Sequence, residues 1–322
     1  MRKSPLTIIS LFDGKSCGQL ALQKFLANLE YQYIASEIDR PAMNVTNHRF
    51  PKTRQVGDVR NFTGKDLKKI FLLIGGSPCQ NFSFAGNHKG MSTKENIQIT
   101  SLEKYMELKN KGFEFEGQSY LFWEFVRVLR ETKPKYFLLE NVKMAKKWEN
   151  IISNELGVKP IHINSNLLTA QNRDRLYWTN IPGIGVPEDK GILLGDVVDG
   201  AVSGFGTRGR KKKGEESYTR YSTIRKDHKS NCLTKGGTCR KYVDGIGKVH
   251  SLTVENCEVL QGVPVGYTDV LGVTKTDRYH MLGNGWTIPV IEHIFSFIPE
   301  FSSQKVNEKT IEQLIEEYEF SN

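Results

Sequence analysis

Apolar positions in the first half of the chain fall into short runs separated by polar, glycine-bearing turns. Leu6-Thr7-Ile8-Ile9-Ser10-Leu11-Phe12 leads into Asp13-Gly14-Lys15-Ser16-Cys17-Gly18, after which Leu20, Leu22, Phe25 and Leu26 recur at helical spacing. Short β-branched runs bounded by turn residues read as strands, and spacings of three and four read as one helix face. The opening therefore predicts strand, turn, helix. A second strand, Tyr33-Ile34-Ala35-Ser36, ends in Glu37-Ile38-Asp39, and Gly57-Asp58-Val59 closes a third short unit. Phe71-Leu72-Leu73-Ile74 is a fourth strand, and it opens into Gly75-Gly76-Ser77-Pro78-Cys79-Gln80.

Between Met91 and Glu116 the chain is polar, with a partly helical pattern at Leu102, Tyr105, Met106 and Leu108. The helix from Tyr120 to Arg130 carries Leu121, Phe122, Phe125, Val126 and Leu129 on a face suited to a sheet. A fifth strand, Tyr136-Phe137-Leu138-Leu139, follows Pro134 and ends in Glu140-Asn141-Val142. Strands alternating with helices predict a doubly wound α/β sheet, whose ligands bind beyond the carboxyl ends of the strands. Cys79, Glu140, Glu37 and Asp58 would all lie at such ends. For Cys79 alone, a buried structural thiol at a turn is the simpler reading. The spacing of the first turn departs from Gly-x-Gly-x-x-Gly, which argues against a dinucleotide site. An acid about 20 residues beyond that turn suits a ribose hydroxyl, although Asp39 could equally cap a helix.

Further on, Gln171-Asn172-Arg173-Asp174-Arg175 sets two arginines two apart on an extended segment, where both point to one face. Such a pair can hold a phosphate or a base edge, or it can serve as structural partners of nearby acids. Around Pro182-Gly183 the composition turns Gly-, Lys- and Arg-rich, marking a smaller unit of strands and loops that ends near Val249. Regular structure resumes at Leu252-Thr253-Val254-Glu255 and continues through Arg278 to Val290 into a helix carrying Ile291, Ile294 and Phe295. Ile311, Leu314, Ile315 and Tyr318 form a closing amphipathic helix.

Charge sharpens the picture of the smaller unit. Residues 201–250 hold 13 lysines and arginines against four acids, so this one segment carries the whole net charge of +9. That concentration points to a polyanionic partner, the alternative being a solvated charge run. The five cysteines, at 17, 79, 232, 239 and 257, form no Cys-x-x-Cys pair and no zinc spacing with histidine, as expected of reduced thiols and no metal. No apolar run reaches the roughly 20 residues of a membrane helix, so a cytoplasmic location is expected.

Taken in order, the motifs resemble the DNA (cytosine-5)-methyltransferase family across nearly the whole chain. Each is short, but six in the family's order are specific. The catalytic motif corresponds to Ser77-Pro78-Cys79-Gln80, the acid motif to Glu140-Asn141-Val142, and Gln-x-Arg-x-Arg to Gln171, Arg173 and Arg175. The cofactor motifs match Phe12-Asp13-Gly14 through Gly18, Glu37 and Asp58. Leu252 to Glu255, Gln261-Gly262-Val263-Pro264 and Leu282-Gly283-Asn284 match the late motifs. Leu11 to Gly14, Gly57 to Arg60, Tyr267 to Val270 and Trp286 to Ile291 resemble the catalytic domains of the vertebrate de novo enzymes, while Pro78-Cys79-Gln80 and Gly283-Asn284 are the bacterial or phage forms.

The resemblance implies a Rossmann-like S-adenosyl-L-methionine-dependent fold with a small basic target-recognition domain. The expected boundaries are 1–184 for the catalytic domain, 185–250 for recognition, and 251–322 for late motifs and helices returning to the catalytic domain. It implies methyl transfer to carbon 5 of a flipped cytosine in duplex DNA, with Cys79 adding at carbon 6, Glu140 protonating N3, and Arg173 and Arg175 holding the pyrimidine. Phe12, Asp13, Gly14, Gly18, Glu37, Ile38, Asp58, Val59, Pro78 and Asn284 would bind the cofactor. Phe12 would lie against adenine, Glu37 on the ribose, Asp58 on the adenine amine, and Gly14 and Gly18 would admit the methionine part. Gln80, Ser83, Arg208, Arg210, Lys211, Lys212 and Lys213 would touch DNA, with residues 81–88 as a lid. A monomer is expected, with a restriction endonuclease as candidate partner. An RNA (tRNA) cytosine-5 methyltransferase and a catalytically inactive DNA-binding relative are the alternatives.

Three features depart from the family pattern: Lys15 in the first turn, the insertion up to Glu116, and Gln118-Ser119 where Arg-Ser is usual. The Lys15 stem is free to snorkel toward solvent. If the basic segment grips phosphate, neutralising Arg210 to Lys213 flattens the plot of log binding constant against log salt. An unchanged slope in a salt titration refutes that contact.

Overall fold

The computed structural model describes residues 5–26, 29–78, 82, 91–210 and 219–302. The first half alternates β1 (Leu6–Leu11), α1 (Cys17–Leu26), β2 (Tyr31–Ser36), α2 (Arg40–Arg49), β3 (Arg54–Gln55) and β4 (Ile70–Gly75). It continues with α3 (Leu102–Asn110), α4 (Phe122–Thr132), β5 (Tyr136–Val142), α5 (Lys146–Leu156), β6 (Ile161–Asn164) and β7 (Asp174–Thr179). These strands form one seven-stranded sheet in the order β3-β2-β1-β4-β5-β7-β6. The chain winds outward from β1 through β2 to β3, then crosses back to β4 on the other side of β1, so the topological switch point lies between β1 and β4. β7 alone runs antiparallel, to both β5 and β6.

Period-two alternation divides the core between the two faces of the sheet. Ile8, Leu72, Ile74 and Leu138 pack in one cluster with Leu22 and Phe25 of α1, whereas Ile9, Leu11, Leu73 and Leu139 pack in the other with Phe122, Phe125 and Val126 of α4. A parallel sheet covered on both faces reads as continuous apolar runs, which is why these strands stood out in the sequence. The polar insertion joins the second cluster through Leu102, Tyr105 and Leu108 of α3. There the fully buried Glu124 of α4 accepts from Tyr105 Oη and from Lys109 Nζ, each at 2.6 Å, and from Arg127 Nε at 2.6 Å. A buried carboxylate left without such donors would be strongly destabilising, so this network fixes α3 in place.

The second sheet joins β8 (Ala201–Arg210), β9 (Thr219–Ile224), β10 (Lys241–Asp244) and β11 (Val249–Ser251) in the antiparallel order β11-β10-β8-β9. The chain then returns as α6 (Val254–Gln261), α7 (Lys275–Asn284), α8 (Ile288–Phe295) and α9 (Pro299–Ser302). Residues 278–290 thus do more than lead into a helix. Thr274 caps α7 reciprocally with Asp277, so the late motif is itself helical, and the chain breaks only at Gly285 before α8. The closing helix expected over residues 311–318 lies outside the described residues.

Among the described residues no helix is long and apolar enough to cross a membrane.

Gly18 sets the contact between α1 and the sheet, because a Cβ there would lie 2.2 Å from Ile74 Cδ1 and 3.2 Å from Tyr33 Oη. Gly18→Ala should cost about 1–3 kcal/mol in urea unfolding, through overpacking. Ile74→Val removes the colliding atom, so the double variant should be less destabilised than the sum of the two single changes. Simple additivity would refute the contact.

Candidate active site

At the end of β1 the chain turns sharply between Phe12 and Ser16, with three left-handed residues. Phe12 has φ 58°, Gly14 φ 58° and Ser16 φ 59°. Left-handed backbone at an aromatic residue costs on the order of 1–3 kcal/mol and persists only where the surroundings enforce it. Here it carries Phe12 out of the sheet to the boundary between two cavities, of about 570 and 210 Å³, and Phe12 lines both. Asp13, next in the chain, is buried and accepts from Tyr33 Oη at 2.9 Å and from the Ser16 hydroxyl. Burial pushes its carboxyl up to about 6, against the pull of those hydroxyl donors, with the nearby Glu37 charge adding a small push upward.

Glu37 and Ile38, just past β2, also border both cavities. One Glu37 oxygen accepts from Gly14 N at 2.8 Å, and the other accepts from Ile38 N and Asp39 N at 2.7 and 2.9 Å. These three amides fix the carboxylate at the mouth of the larger cavity. Asp39 takes the N-cap position of α2 without a capping bond from its side chain. Asp58 and Val59 line the smaller cavity, where Arg60 Nε lies 2.9 Å from Asp58 Oδ2 and its hydrogen bond holds the Asp58 carboxyl below its usual value. Gly14 and Gly18 line the larger cavity, although the missing side chain of Gly18 serves the packing of α1 on Ile74. Lys15 does not snorkel. It is 1% exposed, and its ammonium turns inward to Met281 O.

The far wall of the larger cavity comes from β4, β5, β7 and α7, through Gly76, Ser77, Pro78, Glu140, Arg173, Arg175 and Asn284. Because β7 is antiparallel, its first residues lie at the carboxyl edge of β5, and Arg175 pairs in register with Val142. From there Arg175 Nε meets Glu140 Oε1 at 2.9 Å, while Trp286 Nε1 donates to Glu140 Oε2 at 3.0 Å. A Cβ at Gly76 would come within 2.8 Å of that indole nitrogen, so the approach requires glycine. Asn141 Nδ2 donates to Ser77 O and Oγ, both at 3.1 Å, and ties the end of β5 to the loop that follows β4.

Arg173 is placed differently from Arg175. Its Nη1 donates to Leu233 O at 2.9 Å and to Gly283 O at 3.2 Å, and its Nη2 to Gly285 O at 2.8 Å. Most of its donors are therefore spent on backbone, joining the loop after β9 to the end of α7. Gln171 does similar work, accepting from Leu233 N at 2.9 Å and donating to Leu260 O at 3.1 Å. Cys232 on the same loop lies 3.5 Å from Arg173 Nη1 and 3.8 Å from Arg175 Nη2. Burial raises its thiol, but the two guanidinium groups outweigh that and hold it below the usual thiol value.

Cys79, Gln80, Ser83 and Lys211 to Lys213 lie outside the described residues, as does the 81–88 lid apart from Phe82. Arg208 and Arg210 lie on β8, opposite Tyr221 and Thr219 in register.

The C-5 cytosine-specific DNA methylase family matches residues 6–183, which span the whole first sheet and every residue of this cavity contributed by it. The chain belongs to that family. It is 32% identical over 200 residues to an orphan methyltransferase, M.Rho11sI, of Bacillus phage rho11s, covering 58% of this chain and 34% of that protein. It is 31% identical over 198 residues to the orphan methyltransferase M.SPRI of Bacillus phage SPR, covering 57% of this chain and 38% of that protein. The chain thus spans well under half the length of these relatives. Among solved structures, the Entamoeba histolytica methyltransferase EhMeth superposes with a TM-score of 0.63 at 17% identity, covering 94% of this chain and 99% of that one. The Dnmt2 methyltransferase of S. pombe gives 0.55 at 17%, with coverages of 94% and 99%. At such identity the likeness concerns the fold.

Trp286, Asn141 and Cys232 went unassigned in the sequence. Trp286 stood two residues past Asn284 inside a motif already singled out, so its place in the chain was a usable signal. Cys232 had none, since it reaches the site from a loop of the basic segment.

Asp13 gives this member of the family a pH signature. Its folded value of about 6 lies above the free value of 3.8, so the folded state binds the extra proton between those limits. Stability therefore falls as pH rises through that window and levels off above it, by on the order of 3 kcal/mol. Asp13→Asn should flatten this part of the profile in urea midpoints measured from pH 4 to 7. An identical slope in the variant refutes the assignment.

Proposed function

We propose that this protein transfers a methyl group from S-adenosyl-L-methionine to carbon 5 of cytosine in duplex DNA. The observation that carries the reading is the buried Arg175–Glu140–Trp286 constellation opening into the same cavity as Asp13 and Glu37. A base-recognition acid and a cofactor-recognition acid thus share one space, as transfer between two bound molecules requires.

The cavity fits the cofactor. Phe12 offers an aromatic wall, Glu37 a carboxylate held for ribose hydroxyls, and Asp58 an acceptor in the adjoining smaller cavity for the adenine amine. Ile38 and Val59 add apolar walls, while Asp13, Gly14, Gly18, Pro78 and Asn284 enclose the remainder. When bound, S-adenosyl-L-methionine supplies an electrophilic methyl group.

Cytosine carbon 5 needs activation before it can take that group. Cys79 follows directly on Pro78 of the cavity wall, and its thiolate would add at carbon 6 as Glu140, in its protonated form, gives its proton to N3 and is left as the carboxylate that Arg175 and Trp286 hold. Arg175 would hold Glu140 in orientation and bring its guanidinium to the pyrimidine oxygen. Arg173, bound mainly to backbone, would act by positioning the loop of Leu233 and the end of α7. After transfer, loss of the carbon 5 proton to water would restore the double bond to carbon 6 and expel Cys79 as thiolate, while N3 returns its proton to Glu140. A base within a duplex cannot reach this wall, so the cytosine must flip, at a cost of a few kcal/mol.

The basic segment carrying β8 to β11 favours duplex DNA, with Gln80, Ser83, Arg208, Arg210 and Lys211 to Lys213 as the contacts. The word orphan in the names of the phage relatives weighs against a dedicated endonuclease partner. Tritiated methyl transfer compared on duplex DNA and tRNA decides the substrate, with activity on tRNA alone overturning the DNA reading. Arg175→Lys keeps a charge but loses the planar fork, and should lower methyl transfer by roughly 100-fold with little change in cofactor affinity. Wild-type transfer in that variant would remove Arg175 from the mechanism.

A further inference from the structure

We infer that Lys15 is a binding residue for the carboxylate of the amino-acid portion of the cofactor. The proposal rests on the S-adenosyl-L-methionine reading above.

Lys15 is among the largest fully buried side chains of the protein, at 1% exposure, and it lines the larger cavity. Its Nζ lies 3.2 Å from Met281 O and 3.3 Å from Cys17 Sγ. Among the described residues no carboxylate lies within salt-bridge distance of it, although 36 acids are present in the chain. A buried ammonium normally has an anionic partner, because desolvating the charge without one is costly. The nearest acid in sequence, Asp13, is already satisfied by Tyr33 and Ser16.

The space around the amine is also specifically kept. A Cβ at Gly285 would lie 2.1 Å from Nζ, so the backbone there is shaped to admit it. Gly285 is the break between α7 and α8, and its carbonyl is held by Arg173 Nη2 at 2.8 Å. Tyr267 Oη donates to Lys15 O at 2.8 Å and fixes the backbone from which the side chain departs. The amine is thus positioned from two sides, yet no charge among its neighbours answers it.

The missing charge fits the ligand. Glu37, Glu140 and Lys15 all line the one cavity, and the Lys15 amine lies against Met281 and Gly285 at the end of α7. An amino-acid portion extending from the ribose toward α7 brings one carboxylate and one ammonium. The unpaired cation selects the carboxylate, leaving the ammonium to carbonyl oxygens and solvent. A charge-assisted bond in such a buried setting is among the stronger polar contacts available.

The test is calorimetric and needs no turnover. Wild-type protein is titrated with S-adenosylhomocysteine and with its decarboxylated analogue, the same molecule less the carboxylate, and both titrations are repeated with Lys15→Met. The expected result is that wild type prefers S-adenosylhomocysteine by roughly 10- to 100-fold, and that Lys15→Met removes the preference while binding the analogue as wild type does. Retained affinity for the analogue reports that the variant is folded. Equal affinities of wild type for the two ligands overturn the proposal without any variant, as does a preference that survives in Lys15→Met. Gly285→Ala, which crowds the amine while leaving it in place chemically, should weaken the same preference. Failure of wild type to bind either ligand overturns the cofactor reading itself, which sets that outcome apart from the others.

Discussion

Glu140 is a carboxylate buried at the end of a central strand, and a charge in that position is stable only if it is paired and hydrogen-bonded. Its two partners come from distant parts of the chain, Arg175 from β7 and Trp286 from the break between α7 and α8. Much of the architecture around the site follows from bringing these three together. β7 must run against the direction of its neighbours, since only an antiparallel strand starts at the edge where β5 ends. The last helices must return to the sheet, and Gly76 must lack a side chain for the indole to approach. The loop around Leu233 is drawn in as well, because Arg173 and Gln171 bind it on one side of that wall.

The same demand for paired charge distinguishes the charged groups that line the larger cavity. Glu140 and Arg175 answer one another within the protein. Among the described residues Lys15 has no acid within salt-bridge distance, and Asp13 is held by hydroxyl groups that lower its carboxyl less than burial raises it. Charges answered inside the protein hold the scaffold still. A buried charge left without a partner lowers the stability of the fold that holds it, a familiar trade at functional sites.

The parallel part of the sheet was legible because strands buried on both faces are continuous apolar runs, and Leu6 to Leu11 or Ile70 to Gly75 have no other good reading. α5 and β6 were not assigned: Trp148, Ile152 and Leu156 do fall on one face, but they alternate with lysines and acids that blur it. The direction of β7 could not be read, since an extended run carries no sign of orientation, and so the contact between Arg175 and Glu140 was not expected. Lys15 was noticed as unusual and given the wrong environment. A long charged side chain on a turn ordinarily reaches solvent, and only the later helices, 266 residues away at Met281, close that route. The two arginines two apart were expected to act together, but β7 begins at Asp174, and Arg173 just before it is turned into a nest of carbonyls.

The basic segment has a tie to the site beyond its charge. Its loop from Asn231 to Lys235 passes the arginine pair with Cys232 and reaches the cavity wall at Lys235. A Cβ at Gly283 would collide with the backbone of Thr234 and Lys235 at 2.3 to 2.6 Å, so the loop and α7 pack without a gap. Movement of the second sheet as a body would therefore strain the carbonyls that bind Arg173, and with them Gly285 and Trp286. Packed contacts of this kind transmit displacement because interiors yield little. One loop and one helix terminus thus join the unit that holds the second sheet to the wall of the cavity.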